Sequence, residues 1–254
     1  MTPQTPDSVA GGQRFPVISG LGVDGLLVSF DDHLTEPANR AALALRHAIE
    51  RESWDGVEET ATSLVSTYLR LDTALVDHAT LRRRLEKLLA DRDWTQADLP
   101  TGRRLWRIPT LYGTDLAPQL DEAAALAGLS VDEAVRQLSQ TRVRVQTIGF
   151  APGQPYLGQL PGGWNIPRQT ELTKAVPAGA LTVAIRQIVL FSVTAPTGWR
   201  HVGQTAFQLF RPETPEPFVL RPGDEVVFES VERAAYERLR TAGPSGGARS
   251  EVIR

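Results

Sequence analysis

The feature that most restricts this chain is the fifteen-residue segment 149–163, GFAPGQPYLGQLPGG. It holds three prolines and five glycines. Proline lacks a ladder donor and glycine packs no side chain, so the segment predicts a shaped loop where a strand would otherwise run on. Glycine lets backbone N–H groups approach a ligand closely, and successive N–H groups can form an anion-holding nest. The second Gly, Lys and Ser/Thr of a phosphate loop are missing. Two readings stay open at this point, a turn packed under Phe150 and Tyr156 or a loop lining a ligand site.

Before the loop the hydrophobic period changes twice. Residues 25–30 (GLLVSF) predict a strand, and Thr35, Glu36 and Pro37 a capped helix start carrying Ala38, Ala41, Ala42, Leu45, Ala48 and Ile49 on one face. Residues 57–61 and 64–71 read as strands, and Leu81, Leu85, Leu88 and Leu89 stripe a second helix. A strand over 103–112 would close the order as βαββαβ. The polar stretch 91–101 makes a linker. Asp115 can cap a helix with Leu116, Leu120, Ala123, Ala124 and Ala127 on its apolar side, stopped by Gly128. Ser130 and Glu133 form a capping box for a short helix over 131–140. Strands then follow at 142–147, 176–185, 188–193, 206–210 and 225–228 between Gly and Pro turns, the pattern of a barrel or sandwich. Residues 1–14 and 241–254 are unpatterned and predict disordered ends.

With 41% hydrophobic and 22% charged residues the chain predicts a globular protein. A formal net charge of −3 argues against a nucleic-acid binder, whose phosphate contacts need a clustered positive surface. No cysteine is present, which removes disulfides, thiolate metal sites and cysteine nucleophiles. There is no apolar run of spanning length and no leader pattern, so no membrane contact and a cytoplasmic location are expected. His33, His47 and His78 share no ligand spacing, and no metal is expected.

The segment GFAPGQPYLG resembles the GFAPGFPYLG signature of the allophanate hydrolase subunit 1 family, which includes the kinase inhibitor KipI and the B-type subunit of 5-oxoprolinase. Further matches follow in register. Ile166-Pro167-Arg168 is similar to the family's TPR, and Val176-Pro177-Ala178-Gly179 to its VPAG. Pro196-Thr197-Gly198-Trp199, Val202-Gly203-Gln204-Thr205 and Arg221-Pro222-Gly223-Asp224 are similar to its PGGW, IGRT and RPGD. The resemblance implies an α+β chain with a ferredoxin-like N-terminal domain over 15–100 and a cyclophilin-like β-barrel domain over 104–233. It implies a subunit 2 type partner, a third protein that is the A-type subunit of 5-oxoprolinase, and ATP shared with the partner in opening 5-oxoproline. Biotin is not expected. The alternatives are a non-catalytic regulatory binding protein of the kinase-inhibitor type and a divergent carboxyltransferase-like subunit.

The ligand-binding candidates are Gly149, Phe150, Pro152, Gly153, Pro155, Tyr156, Arg168, Arg186 and Gln187; no catalytic residue is assigned. Arg168 offers a planar, permanently charged fork for a carboxylate or phosphate, or else a surface partner for Glu171. Lys174 is a weaker candidate, and His201 reads as a barrel-rim hydrogen bonder. Where the family carries glycines after VPAG, this chain has Thr182, Ile185, Arg186 and Val189, and where the family has Phe it has Gln154. Glycines at positive φ would cost roughly 1–2 kcal/mol each to replace. Strand alternation would put Arg186 and Gln187 on opposite faces, so a bulge or turn is expected there, with Arg186 aimed into the cleft beside the 149–163 loop.

Overall fold

The structure, a computed structural model, describes residues 14–253, so the expected disorder of 1–13 lies outside the described residues. The chain divides into two compact units, the first made of the residues up to Ala61 with Val65–Ala97, and the second of Asp98 onward together with Thr62–Leu64.

The first unit contains strands β1 (Val17–Leu21) and β2 (Gly25–Ser29), helix α1 (Glu36–Glu52), strands β3 (Val57–Ser63) and β4 (Ser66–Leu71), and helix α2 (His78–Ala90). Thr35 caps α1 by accepting the Ala38 N–H, and Asp77 caps α2 by accepting the Thr80 N–H. The sheet order is β1-β2-β4-β3. The crossover β2-α1-β3 thus spans β4, and Leu26, Val28, Leu45, Leu69, Leu81 and Leu85 fill the space between sheet and helices. The strand expected over 103–112 does not close this sheet. Its place beside β2 is taken by β1, in register from Val17 opposite Ser29 to Leu21 opposite Gly25.

The second unit begins with β5 (Arg103–Arg107), β6 (Thr110–Tyr112), α3 (Leu120–Leu126), α4 (Val131–Gln140), β7 (Val143–Ile148), β8 (Pro155–Gly158) and β9 (Thr173–Val176). It continues with β10 (Ala180–Ala184), β11 (Gln187–Leu190), β12 (Ala195–Thr197), β13 (Arg200–Thr205), β14 (Glu225–Val227), α5 (Arg233–Thr241) and β15 (Arg249–Ile253). Nine strands make one curled, half-barrel sheet in the order β15-β5-β14-β7-β8-β11-β10-β13-β6, with β9 and β12 as a separate pair. Its interior is packed by Val143, Leu157, Trp164, Val183, Ile188 and Phe228.

Four expectations change. Residues 249–253 are not a loose tail: β15 pairs antiparallel with β5 along its whole length. The helix expected from Asp115 starts only at Leu120, because Pro118 disfavours helical geometry in the residue before it. Residues 206–210 give a single bridge, Phe210 to Phe218, among prolines. Finally, the segment 149–163 contains the buried strand β8, between β7 and β11. Pro155 is tolerated because it is the first strand residue. At Gly158 the absence of a side chain makes room for the Gln146 amide, whose oxygen would stand 2.7 Å from a Cβ there and would have to move. The capping box of α4 forms as expected, with Ser130 and Glu133 each accepting the other's backbone N–H.

Candidate functional site

Both faces of β10 and β11 are buried. Leu181, Val183, Ile188 and Leu190 face the main core, whereas Ala180, Ala184 and Val189 join Val176, Phe191, Ala195 and Trp199 in a second apolar cluster. On this second face the strands carry a cavity of about 280 Å³.

Its floor follows from strand register. Tyr156 on β8 stands opposite Val189 on β11, and Phe191 follows two residues on, so the period of two puts all three on one side. Trp199, just before β13, meets the Tyr156 ring edge-on, with centroids 6.1 Å apart and an interplanar angle of 78°. The Arg168 guanidinium lies over the other side of the site, 5.4 Å from the Trp199 ring centroid. Among the described residues no carboxylate pairs with Arg168, and Glu171 is not its partner. Phe150 and Leu172, 73% and 67% exposed, stand at the mouth.

The β7–β8 connection shapes that mouth. Gly149 donates to the Gln154 carbonyl at 3.0 Å and Gln154 to the Ala151 carbonyl at 3.1 Å. Phe150 and Gly153 both have φ of +70°. Glycine is needed at 153, where a Cβ would lie 3.2 Å from the Leu209 carbonyl. Phe150 accepts a conformation that L side chains rarely adopt, and it turns its ring outward.

Phe150, Tyr156 and Arg168 thus come together, with Gln154 beside them. Gly149, Gly153 and Pro155 act through backbone shape, and Pro152 is exposed outside the cavity. Arg186 and Gln187 do not line it. Ile185 and Arg186, with φ of +43° and +62°, form the two-residue turn between Ala184 and Gln187. The Arg186 Nε donates to the Leu160 carbonyl at 3.0 Å, at the far end of the 149–163 segment. Gln187 is buried and donates to Gln146 at 2.9 Å. Two of the four replaced glycine positions therefore form a turn, while Val189 fills cavity wall and Thr182 donates to the Val189 carbonyl.

Residues 16–220 match the family described as carboxyltransferase domain, subdomain C and D. The chain belongs to this family, that of KipI and the B-type subunit of 5-oxoprolinase. Among curated family members it is 28% identical to the B-type 5-oxoprolinase subunit of Bacillus subtilis (strain 168), over 88% of this chain and 96% of that protein. It is 38% identical to the B-type 5-oxoprolinase subunit of Escherichia coli O157:H7, over 53% of this chain and 62% of that one. Among solved structures, TTHA0988 superposes with a TM-score of 0.69 at 30% identity, covering 83% of this chain and 40% of that chain. The Kluyveromyces lactis urea carboxylase shares the fold, with a TM-score of 0.67 at 15% identity over 93% of this chain and 24% of its own.

Val189, Phe191, Gln169, Leu172 and Trp199 also line the cavity but were not candidates from sequence. The signal for Trp199 lay in the Pro196–Trp199 motif, which carried the resemblance without a role attached. His201 is buried on β13; burial holds its pKa below the ordinary histidine value, against smaller raising effects of the Gly203 backbone and the Gln204 side chain. Its Nε2 has no hydrogen-bond partner among the described residues, and it does not line the cavity. Lys174 is exposed and also lies outside. One group of metal-ligand types gathers elsewhere, Asp31, Asp32 and His33, at the surface of the first unit. Among the described residues no helix is long and apolar enough to cross a membrane.

Proposed function

We propose that this chain is the ligand-binding B-type subunit of an ATP-dependent 5-oxoproline hydrolase, working with a subunit 2 type partner and a third protein, the A-type subunit. The observation that carries this reading is the cavity between Tyr156 and Arg168. It joins an aromatic floor to one guanidinium without a carboxylate partner, which suits a small ring bearing a carboxylate. Arg168 takes the carboxylate, and Phe150 and Leu172 cover the ring. The names of the curated relatives support the substrate.

Opening a lactam requires its carbonyl carbon to be made electrophilic, which transfer of the ATP γ-phosphoryl group to the carbonyl oxygen, with ADP leaving, achieves before water adds at that carbon, and the developing charge must be stabilised. The cavity lining holds no carboxylate, histidine or lysine to act as general acid or base. Nor does it fit ATP itself: one guanidinium does not match a triphosphate, which needs several cations and a nest of N–H groups. This chain accordingly binds and orients the small ligand, and the partner supplies the nucleotide site and the proton-transfer groups. The need for ATP places the assembly in the cytoplasm. The same reading takes the first unit as a ferredoxin-like domain with its edge strand drawn from the N-terminal side, and the second as a cyclophilin-like barrel.

Co-expression with the two partner proteins tests it. ATP-dependent conversion of 5-oxoproline to glutamate is expected from the assembly and not from the isolated chain. Turnover by the isolated chain, or none by the full assembly, would overturn the reading. The exposed Phe150 and Leu172 beside a lining without acid or base also suit a regulatory binder of the kinase-inhibitor type, and an inactive assembly would favour that role.

A further inference from the structure

The segment around Arg168 has no regular secondary structure, yet the peptide on each side of the residue is tied down. On one side Arg200 Nη1 donates to the Pro167 carbonyl at 2.6 Å. On the other, the Gln169 N–H donates to the Gly198 carbonyl at 2.7 Å, and the Gln169 amide donates to the Trp199 carbonyl at 3.1 Å. All three ties run to residues 198–200, the stretch that carries the Trp199 ring. The backbone of Arg168 is therefore referenced to the aromatic plane its guanidinium covers.

The ties are themselves supported from α3 and the residue before it. Gln119 Nε2 donates to Gln169 Oε1 at 2.6 Å, and Gln119 Oε1 accepts the His201 N–H at 2.9 Å. Gln119 thereby fixes which way the Gln169 amide points and leaves its N–H₂ for the Trp199 carbonyl. Arg200 is buried, its side chain 8% exposed, and Nε donates to Glu122 at 2.8 Å. A buried charge is costly unless paired and hydrogen-bonded, and here one of its bonds is spent on a loop carbonyl adjoining an exposed residue. A loop with only a covering role would not need that arrangement.

We propose that Gln119, Gln169 and Arg200 are positioning residues that pre-organise Arg168 over Trp199 as an anion contact. Holding the guanidinium in place before the ligand arrives lowers the ordering cost of binding and makes affinity depend on anion placement. The inference rests on the reading of this cavity as the ligand site, but its central claim, the fixed Arg168, can be read without a ligand.

The ring current of Trp199 shifts the Arg168 δ-methylene protons upfield, and Trp199→Leu in the full chain identifies the shifted signals. Gln119→Glu keeps the acceptor for the His201 N–H but removes the donor to Gln169. It is expected to move those signals at least halfway to free-arginine values while the thermal midpoint stays within a few degrees. An unmoved shift in this variant overturns the proposal. Should Arg200→Met fail to fold, Arg200→Lys is the second variant, with a smaller displacement expected and none counting against the role of Arg200. Calorimetry with 5-oxoproline on the assembly separates the two ideas. Loss of at least 10-fold in affinity in Arg168→Ala and 3- to 10-fold in Gln119→Glu supports both. A loss in Arg168→Ala alone overturns positioning, and no effect of Arg168→Ala overturns the ligand-site reading whatever the proton shifts show.

Discussion

Asp224 Oδ2 lies 2.6 Å from Arg104 Nη2, and the carboxylate also accepts the backbone N–H groups of Arg104 and Arg221 and the Trp106 indole N–H. The aspartate of the RPGD motif is thus a structural knot, with its side chain only 3% exposed. It joins the start of β5 to the turn before β14.

Asp224→Asn should therefore destabilise the second unit by about 3 kcal/mol, because it strands the Arg104 charge and breaks the network. Urea denaturation at neutral pH measures this. A loss below about 1 kcal/mol would mean that solvent already screens the pair as it does surface pairs.

The β10–β11 turn holds a β-branched residue in the left-handed region, Ile185 at φ +43°. Asparagine is at ease there, and Ile185 is exposed, so little apolar burial is lost. Ile185→Asn is expected to stabilise the chain by about 0.5–1 kcal/mol, leaving the Arg186 bond to Leu160 in place. A rise of roughly 2–4 °C in thermal midpoint per kcal/mol is the readout.

Burial lowers the His201 pKa in the folded chain below its ordinary value of 6.5. Well above 6.5 neither state binds the proton and stability is unaffected. As pH falls below 6.5 the unfolded chain takes up a proton that the folded chain refuses, so stability drops until the folded pKa is reached. His201→Gln should flatten this part of the stability–pH curve, measured as the urea midpoint at pH values on either side of that value. A slope unchanged in the variant would assign the acid sensitivity to other groups.

Much of the molecule is legible from local chemistry. Thr35 before Glu36-Pro37 and the Ser130–Glu133 box give helix starts that the structure reproduces, since caps act within one turn. The Gly- and Pro-rich loop and the resemblance single out Phe150, Tyr156 and Arg168, which line one cavity, but equally Arg186 and Gln187, which do not. The misses are of another kind. Pro155–Gly158 does not read as a strand because proline and glycine are poor strand residues, yet its neighbours β7 and β11 supply the packing that propensity lacks. The exchange of β1 for residues 103–112 in the first sheet is a choice between edge strands, which short exposed segments do not encode. From sequence Trp199 reads as closing a turn or filling core; it joins the second apolar cluster, and only the position of Arg168 over its face gives it a second role.

The pairing of β5 has a kinetic consequence. Arg104 meets Asp224 across 120 residues of chain, and β5 receives its other neighbour, β15, from later still. The first unit closes its sheet through hairpins and one helical crossover. Loop-closure entropy must be met before distant pairings return any stabilisation, so high contact order slows folding. Refolding should accordingly show two phases. The burial of Trp94, in the first unit, would precede that of Trp106, on β5, when each is followed by fluorescence with the other tryptophans replaced. Until the slower phase ends, β5 is an unpaired edge, and crowding during synthesis would act on the opening strand of the second unit before its partners exist.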